Sequence, residues 1–356
     1  MPAARLLELG YRDDDARSFA GLAAPGLVPG RVAAGHTRFL RVLWEGGEAL
    51  AEASGALRHA ATSALELPAV GDWVALRLPG GDGPALVEAV LPRRTAFVRR
   101  AAGVRAVAQV LAANVDTLFL VMGLDGDFNP RRLERALVLA WESGASPVVL
   151  LNKADLVEDA AARRAEIERV AAGTPVLLLS VKHGLGLEAL LPWLGAGRTV
   201  ALVGSSGVGK STLVNRLLGR DKQRTLEVRE RDDRGRHTTT HRELVELPGG
   251  ALLVDTPGLR ELQLWSDGAG LDAVFDDVAA LAAACRFTDC GHGSEPGCAV
   301  RAAVDEDRLE PSRLASYQKL QAELRALEVR EDPLKRRVER SKWRAIHKSL
   351  RHGKRS

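Results

Sequence analysis

Residues 199–219 read TVALVGSSGVGKSTLVNRLLG, and the fold is decided by how this stretch can be built. The mostly apolar run 199–203 suits a strand buried on both faces. The next eight residues, Gly204, Ser205, Ser206, Gly207, Val208, Gly209, Lys210 and Ser211, match G-x-x-x-x-G-K-[ST] in full. Thr212 and the residues behind it read as a helix. Glycines let backbone N–H groups wrap a phosphate, and the helix offers its positive N-terminus to the same charge. In this pattern Lys210 reaches the β- and γ-phosphates, and the Ser211 hydroxyl ligates Mg²⁺. Strand, phosphate loop and helix in that order predict an α/β domain on a parallel sheet.

The neighbouring sequence extends that sheet. TLFLVM (117–122), PVVLL (147–151), PVLLLS (175–180) and ALLVD (251–255) are apolar runs of strand length with helical stretches between them. Asn129 and Pro130 open RRLERALVLAWESG, a capped amphipathic helix that stops at a glycine. NKAD follows PVVLL, at a strand end where ligand loops belong. Ionised, Asp155 accepts two hydrogen bonds, from guanine N1–H and its 2-amino group. Adenine offers neither, so the carboxylate would be left unpaired and ATP rejected. Asn152 and Lys153 would line the base and tie this loop to the phosphate loop. Ser180, Val181 and Lys182 end the next strand and can present a backbone N–H to guanine O6.

Downstream, Asp255-Thr-Pro-Gly258 ends the strand ALLVD. Asp255 is placed for the Mg²⁺ shell and the Gly258 N–H for the γ-phosphate. The segment RDDRGRHTTTHRELVEL between these motifs is polar enough for an order–disorder switch. A threonine there is expected to ligate Mg²⁺, either Thr239 or Thr240, with Thr239 preferred. Leu259 stands where many GTPases carry a water-orienting glutamine, so unassisted hydrolysis is expected to be slow. His237 is a candidate substitute. The order is unusual: the base-reading motifs precede the phosphate loop. Sites built from strand ends do not depend on chain order.

Outside this domain, RVAAGHTRFLRVLWE (31–45) and GDWVALRL (71–78) alternate with period two and predict a small β-barrel. A helix over 271–284 and a long helix over 306–330 are expected behind the sheet. All three cysteines fall in one window, Cys285-x4-Cys290-x-His292-x5-Cys298. Three thiolates and an imidazole make a closed tetrahedral Zn²⁺ site, structural in character. Residues 335–356 hold ten Lys or Arg against the single acid Glu339, a pattern suited to phosphate backbones. The chain of 356 residues carries 46% hydrophobic and 27% charged residues, ordinary for a globular protein. No apolar run reaches the roughly 18 residues that span a bilayer. A cytoplasmic monomer with no membrane partner is expected.

Together, NKxD, phosphate loop, RHTTT and DTPG in that order, with the GDWV barrel and the C-x4-C-x-H-x5-C cluster, resemble a known family. It is the bacterial ribosome small-subunit-dependent GTPase A family, also called RsgA, YjeQ or EngC, and the likeness runs from about residue 30 to 330. The resemblance implies an OB-type barrel within 1–95, a circularly permuted GTPase domain over 96–270, and a helical zinc-binding domain with a basic tail over 271–356. It implies binding to the small ribosomal subunit and its rRNA late in assembly. It also implies hydrolysis of GTP to GDP and phosphate when the subunit stimulates it. A hydrophobic residue after DTPG is usual there, and Leu259 fits.

Two readings from other classes stay open at the level of sequence. A P-loop kinase or ATPase with a zinc module would share 204–211 but not NKAD and SVK at strand ends, and GTP–ATP competition separates the two. A nucleic-acid scaffold that holds nucleotide with negligible turnover is the other, and stimulation by small but not large subunits decides it.

Overall fold

The computed structural model describes residues 4–22, 24–35, 38–81, 83–100, 108–219, 242–255 and 269–331. They fall in two compact units, 1–263 and 264–356. Among the described residues no helix is long and apolar enough to cross a membrane.

The first unit starts with α1 (Ala4–Glu8) and α2 (Asp13–Ala20), for which the sequence alone suggested no structure. Leu6, Leu9 and Tyr11 are buried, and the Tyr11 ring meets Trp73 edge-on at 4.7 Å between centroids. β1 (Leu27–Gly35), β2 (Leu40–Trp44), β3 (Gly47–Ala53), β4 (Trp73–Arg77) and β5 (Ala85–Val90) follow. They close in the order β1-β2-β3-β5-β4-β1, with β3 and β5 parallel and the other pairs antiparallel. This is the expected OB-type barrel. Its interior is filled by Val32, Val42, Val74, Leu76 and Val87. A register shift between Val32 and Ala34 marks a bulge that bends β1, which pairs with β2 along one edge and β4 along the other and so closes the barrel. α3 (Gly55–Ala60) lies between β3 and β4 in the chain, started by Ser54 Oγ, which accepts from Leu57 N at 3.1 Å.

A hairpin, β6 (Ala96–Arg100) with β7 (Ala108–Ala113), stands where the sequence suggested only a change of texture. The sheet then runs β8 (Thr117–Gly123), β9 (Ser146–Asn152), β10 (Val176–Leu178), β11 (Thr199–Val203), β12 (Glu243–Glu246) and β13 (Leu252–Asp255). In space the order is β10-β9-β8-β11-β13-β12, parallel throughout except for β12. All seven residues of β8 are buried, as a strand covered on both faces requires. α4 (Pro130–Ser143) has the expected cap: Asn129 Oδ1 accepts from Arg132 N at 3.0 Å, and Gly144 at φ 82° ends it. α5 (Ala160–Val170) and α6 (Lys210–Leu217) follow β9 and β11. The end of the expected switch segment forms β12, each of whose four residues, Glu243 to Glu246, pairs in register with β13. β12 also meets β1 at Ala34 and Glu243, joining the barrel to the sheet.

In the second unit the expected helix over 271–284 is two helices, α7 (Ala269–Val274) and α8 (Asp276–Ala282). Phe275 leaves helical dihedrals (φ −113°, ψ 44°), and Asp276 and Asp277 start the second helix with favourable charge. The long helix begins later than expected, as α10 (Pro311–Glu331), preceded by α9 (Ala299–Asp305). Asp307 in a left-handed conformation separates them, and Pro311 suits a first helical position. Arg313 holds α10 against α7 and α8 through Val274 O (2.6 Å), Asp277 (3.1 Å) and the Phe275 ring.

Candidate functional site

Three loops from the carboxyl ends of parallel strands form the site: 152–155 after β9, 180–182 after β10 and 204–209 after β11. Asn152 joins them. Its side chain is buried, donates from Nδ2 to Val208 O at 2.7 Å, and accepts at Oδ1 from Val181 N at 3.0 Å. One amide thus fixes the phosphate loop and the 180–182 turn against the same point. The close approach also explains Gly209. At φ 102°, a Cβ there would lie 2.3 Å from Asn152 Nδ2, so only glycine fits.

Asp155 follows one turn later. Its Oδ1 accepts from the Ser180 hydroxyl, and its Oδ2 lies 3.4 Å from His183 Nε2. The Ser180 hydroxyl, with His183 and Lys182 nearby, holds the Asp155 carboxyl below the usual carboxylate range. Asp155 therefore stays ionised and acts only as an acceptor, the state that recognises a pair of N–H donors. Among residues 180–183, the N–H groups of Ser180, Val181 and His183 bond Leu185 O, Asn152 Oδ1 and Ser180 O. None of these bonds uses the Lys182 N–H.

Lys153 sits in a left-handed conformation (φ 64°), its Nζ 2.6 Å from Asp125 Oδ2. That ammonium draws the Asp125 carboxyl below its usual range. Neither Asp125 nor His183 was singled out in the sequence. Asp125 lies outside any motif and enters the site through the sheet order, which sets the loop after β8 beside that after β9, whereas His183 directly follows Lys182 in the loop after β10.

The phosphate loop passes from β11 into α6, with Gly209 before the helix and Lys210 as its first residue. Val208 points into the core beside Val121, Val148 and Leu213 and anchors the loop from beneath. Ser206, Gly207, Ser211 and Thr212 are exposed, while Gly204 and Ser205 are half-buried. Lys210 Nζ donates to Gly204 O at 2.7 Å and to Ser205 O, so the ammonium lies across the loop. Arg216 donates to Lys182 O at 3.0 Å, tying α6 to the 180–182 turn. Asp255 ends β13, the strand beside β11, at the same end of the sheet. Thr239, His237 and Gly258 lie outside the described residues, as do Thr240, Leu259 and the tail 335–356.

In the second unit Cys285, Cys290, His292 and Cys298 bring their ligand atoms within 4.8 Å of one another, so the group can hold a metal ion. Cys285 Sγ and Cys298 Sγ lie 3.9 Å apart, and His292 Nδ1 is 3.7 and 3.6 Å from them. Cys298 precedes α9 and accepts from Arg301 N at 3.4 Å, so a helix start faces the sulfur. Gln318 on α10 donates to His292 O at 2.8 Å, and Glu295 accepts from Gly291 N and Gly293 N. These bonds hold the ligand loop and place the imidazole.

Residues 90–265 match the family model for the RsgA GTPase. The chain is 53% identical to the small ribosomal subunit biogenesis GTPase RsgA of Opitutus terrae over 97% of both chains. It is 48% identical to the protein of that description from Syntrophotalea carbinolica over 89% of both. Among solved structures it resembles YjeQ of Thermotoga maritima, with TM-score 0.65 and 30% identity over 84% of this chain and 98% of that one. It also resembles YloQ, described as a circularly permuted GTPase, with TM-score 0.62 and 25% identity over 84% of this chain and 96% of that one.

Proposed function

The chain belongs to the RsgA GTPase family and is a GTP hydrolase, and from that premise we propose that it binds the small ribosomal subunit and assists its late assembly. In this reading the protein contacts the subunit's rRNA, the subunit stimulates hydrolysis, and the protein acts as a cytoplasmic monomer. Its functional parts are the barrel (1–95), the permuted GTPase domain (96–270) and the zinc-binding domain with its tail (271–356).

The observation that carries the nucleotide assignment is the Asn152 side chain, which ties the base loops to the phosphate loop. Asp155 then reads guanine N1–H and the 2-amino group, and Lys182 N–H meets O6. The backbone of 204–209 and Lys210 hold the β- and γ-phosphates, with Ser205, Ser206 and Thr212 at the mouth. Bound Mg²⁺ supplies neutralisation of charge developing on the phosphates. Ser211 and Thr239 are its proposed ligands, with Asp255 behind them. Leu259 cannot orient water, so unassisted turnover is slow and the ribosomal partner, with His237 as an internal candidate, completes the site. DTPG leads straight into the second unit in sequence, so movement of this loop is passed toward the zinc module.

For the Cys/His group, zinc is supported by its spacing. A tetrahedral ion at Zn–S near 2.3 Å and Zn–N near 2.0 Å separates ligand sulfurs by about 3.8 Å and sulfur from nitrogen by about 3.5 Å. Among Cys285, His292 and Cys298 the observed 3.9, 3.7 and 3.6 Å agree, and the Cys290 sulfur lies within 4.8 Å of these atoms. All four positions are filled by protein, which makes the site structural.

The deciding experiment is GTP hydrolysis with purified small subunits, with large subunits as the control. Small subunits alone are expected to accelerate turnover, on the order of tenfold or more. No acceleration would remove the ribosomal reading. In the same assay Lys210→Ala should lower turnover by about 100-fold, because it withdraws the cation facing the developing charge. Ser211→Ala should mainly raise the Mg²⁺ requirement. Parent-like rates in both would place the site elsewhere.

The tail contributes by screened electrostatics. Deleting 335–356 should flatten the salt dependence of small-subunit binding, since each engaged cation adds about 0.7–0.9 to the slope of log K against log salt. Intrinsic hydrolysis should not change, and the stimulated rate should recover at saturating subunit. An unaltered slope would make the tail a bystander.

A further inference from the structure

Arg31, on barrel strand β1, is wholly buried, yet every acceptor it uses is uncharged. Nε donates to Gly71 O at 3.3 Å and Nη1 to Leu9 O. Nη2 donates to Asn114 O at 3.2 Å and to Thr199 Oγ1 at 2.8 Å. The guanidinium also lies 5.5 Å from the centre of the Trp73 ring. Burial pushes its pKa down to about 10, partly offset by the charge of Asp116. A core position selected for stability alone favours an apolar side chain over a buried cation. What a guanidinium adds is a planar fork that fixes several partners at once. Here the partners are the N-terminal segment, the turn before β4, the turn before β8, and the first residue of β11.

Thr199 is the link that matters for chemistry. Its backbone N–H donates to Asp116 Oδ2 at 2.8 Å, its hydroxyl meets Arg31, and its strand ends at the phosphate loop, roughly 17 Å away at about 3.3 Å per residue. The entrance to β11 is equally constrained. A Cβ on Gly197 (φ 72°) would lie 2.7 Å from Leu7 O, so the N-terminal backbone bears directly on that turn. The same barrel strand reaches β12 through Ala34 and Glu243, and Arg41 on β2 pairs with Glu243. β1 therefore touches both the strand that enters the phosphate loop and the strand that leaves the switch segment.

We propose that Arg31 is a positioning residue through which the barrel acts on the nucleotide site: by gripping Thr199 it makes the placement of β11 follow that of β1. RNA held by the barrel then sets the phosphate loop for turnover. This rests on the reading that the small subunit stimulates hydrolysis.

Thr199→Val tests it in the full-length protein, because it keeps the shape, the strand preference and the backbone bond to Asp116 while removing one oxygen. Expected are unchanged GTP affinity, intrinsic turnover and subunit binding, with the rate at saturating small subunit lowered at least about fivefold. Thr199→Ser restores the hydroxyl and should restore the rate. Arg31→Lys, with three donors from one point, should also lower the stimulated rate, and it provides a second route if the valine variant folds poorly. Parent-like stimulation in both Thr199→Val and Arg31→Lys would overturn the proposal while leaving the ribosomal reading intact. An equal loss in Thr199→Ser would overturn it as well, by showing that packing and not the hydrogen bond matters. A parent that small subunits do not accelerate defeats the ribosomal reading itself, and this inference with it.

Discussion

Asp155→Asn is expected to lower GTP affinity by about 100-fold and to turn nucleotide preference toward xanthosine triphosphate. The amide keeps one acceptor and sets an N–H₂ group against the guanine 2-amino donor, so one hydrogen bond is lost and one repulsion gained. Xanthine presents a carbonyl at that position and accepts what the amide offers. Folding should be unaffected, since the side chain that meets Ser180 and His183 lies at the surface of the site. Equilibrium binding of GTP and XTP to parent and variant checks this. Unchanged GTP affinity would take Asp155 out of the base site.

Cys298→Ser, or removal of metal by a chelator, is expected to unfold the ligand loop of the second unit. Structural zinc contributes about 10–16 kcal/mol in small zinc-dependent domains, more than the remaining contacts of such a loop provide. Cys298 carries the largest effect because it is buried, faces the start of α9, and lies within 4 Å of both Cys285 and His292. The first unit has its own sheet and core, so GTP affinity should persist. Metal analysis, hydrogen exchange over 285–298 and a nucleotide titration on one sample separate the two units. A parent without stoichiometric zinc would refute the cluster, and loss of GTP binding in the variant would refute the independence of the core.

What could be read in advance was what is encoded locally. The phosphate loop, NKAD and the cysteine spacing each specify their chemistry within a few residues, and α4 showed its cap and its stop in Asn129, Pro130 and Gly144. The parallel strands were legible because burial on both faces leaves an apolar run. The β6–β7 pair was not: β6, AFVRR, is only five residues long, and β7, AQVLAA, carries three alanines, a residue that favours helix and is depleted in strands. Asp125 joins the site only because β8 and β9 are neighbours, and no spacing in the sequence says so. Arg31 opens an alternating run, and nothing local in the sequence marks it as buried. Its burial follows from the N-terminal segment and the turn at Asn114 closing over it, which only tertiary structure reveals.

The disagreement between chain order and sheet order has a temporal side. Synthesis proceeds from the N-terminus, so β8, β9 and β10, with both base-reading loops, exist before any phosphate-binding residue has been made. Their connections through α4 and α5 are short parallel crossovers that can form on the spot. One edge of β8, buried in the finished protein, has no neighbour until β11 is added, a wait on the order of ten seconds at about 5–20 residues per second. The nascent site is assembled base end first, and the strand that gives it a hold on phosphate is laid against β8 only afterwards, with β13 still to follow on its other side.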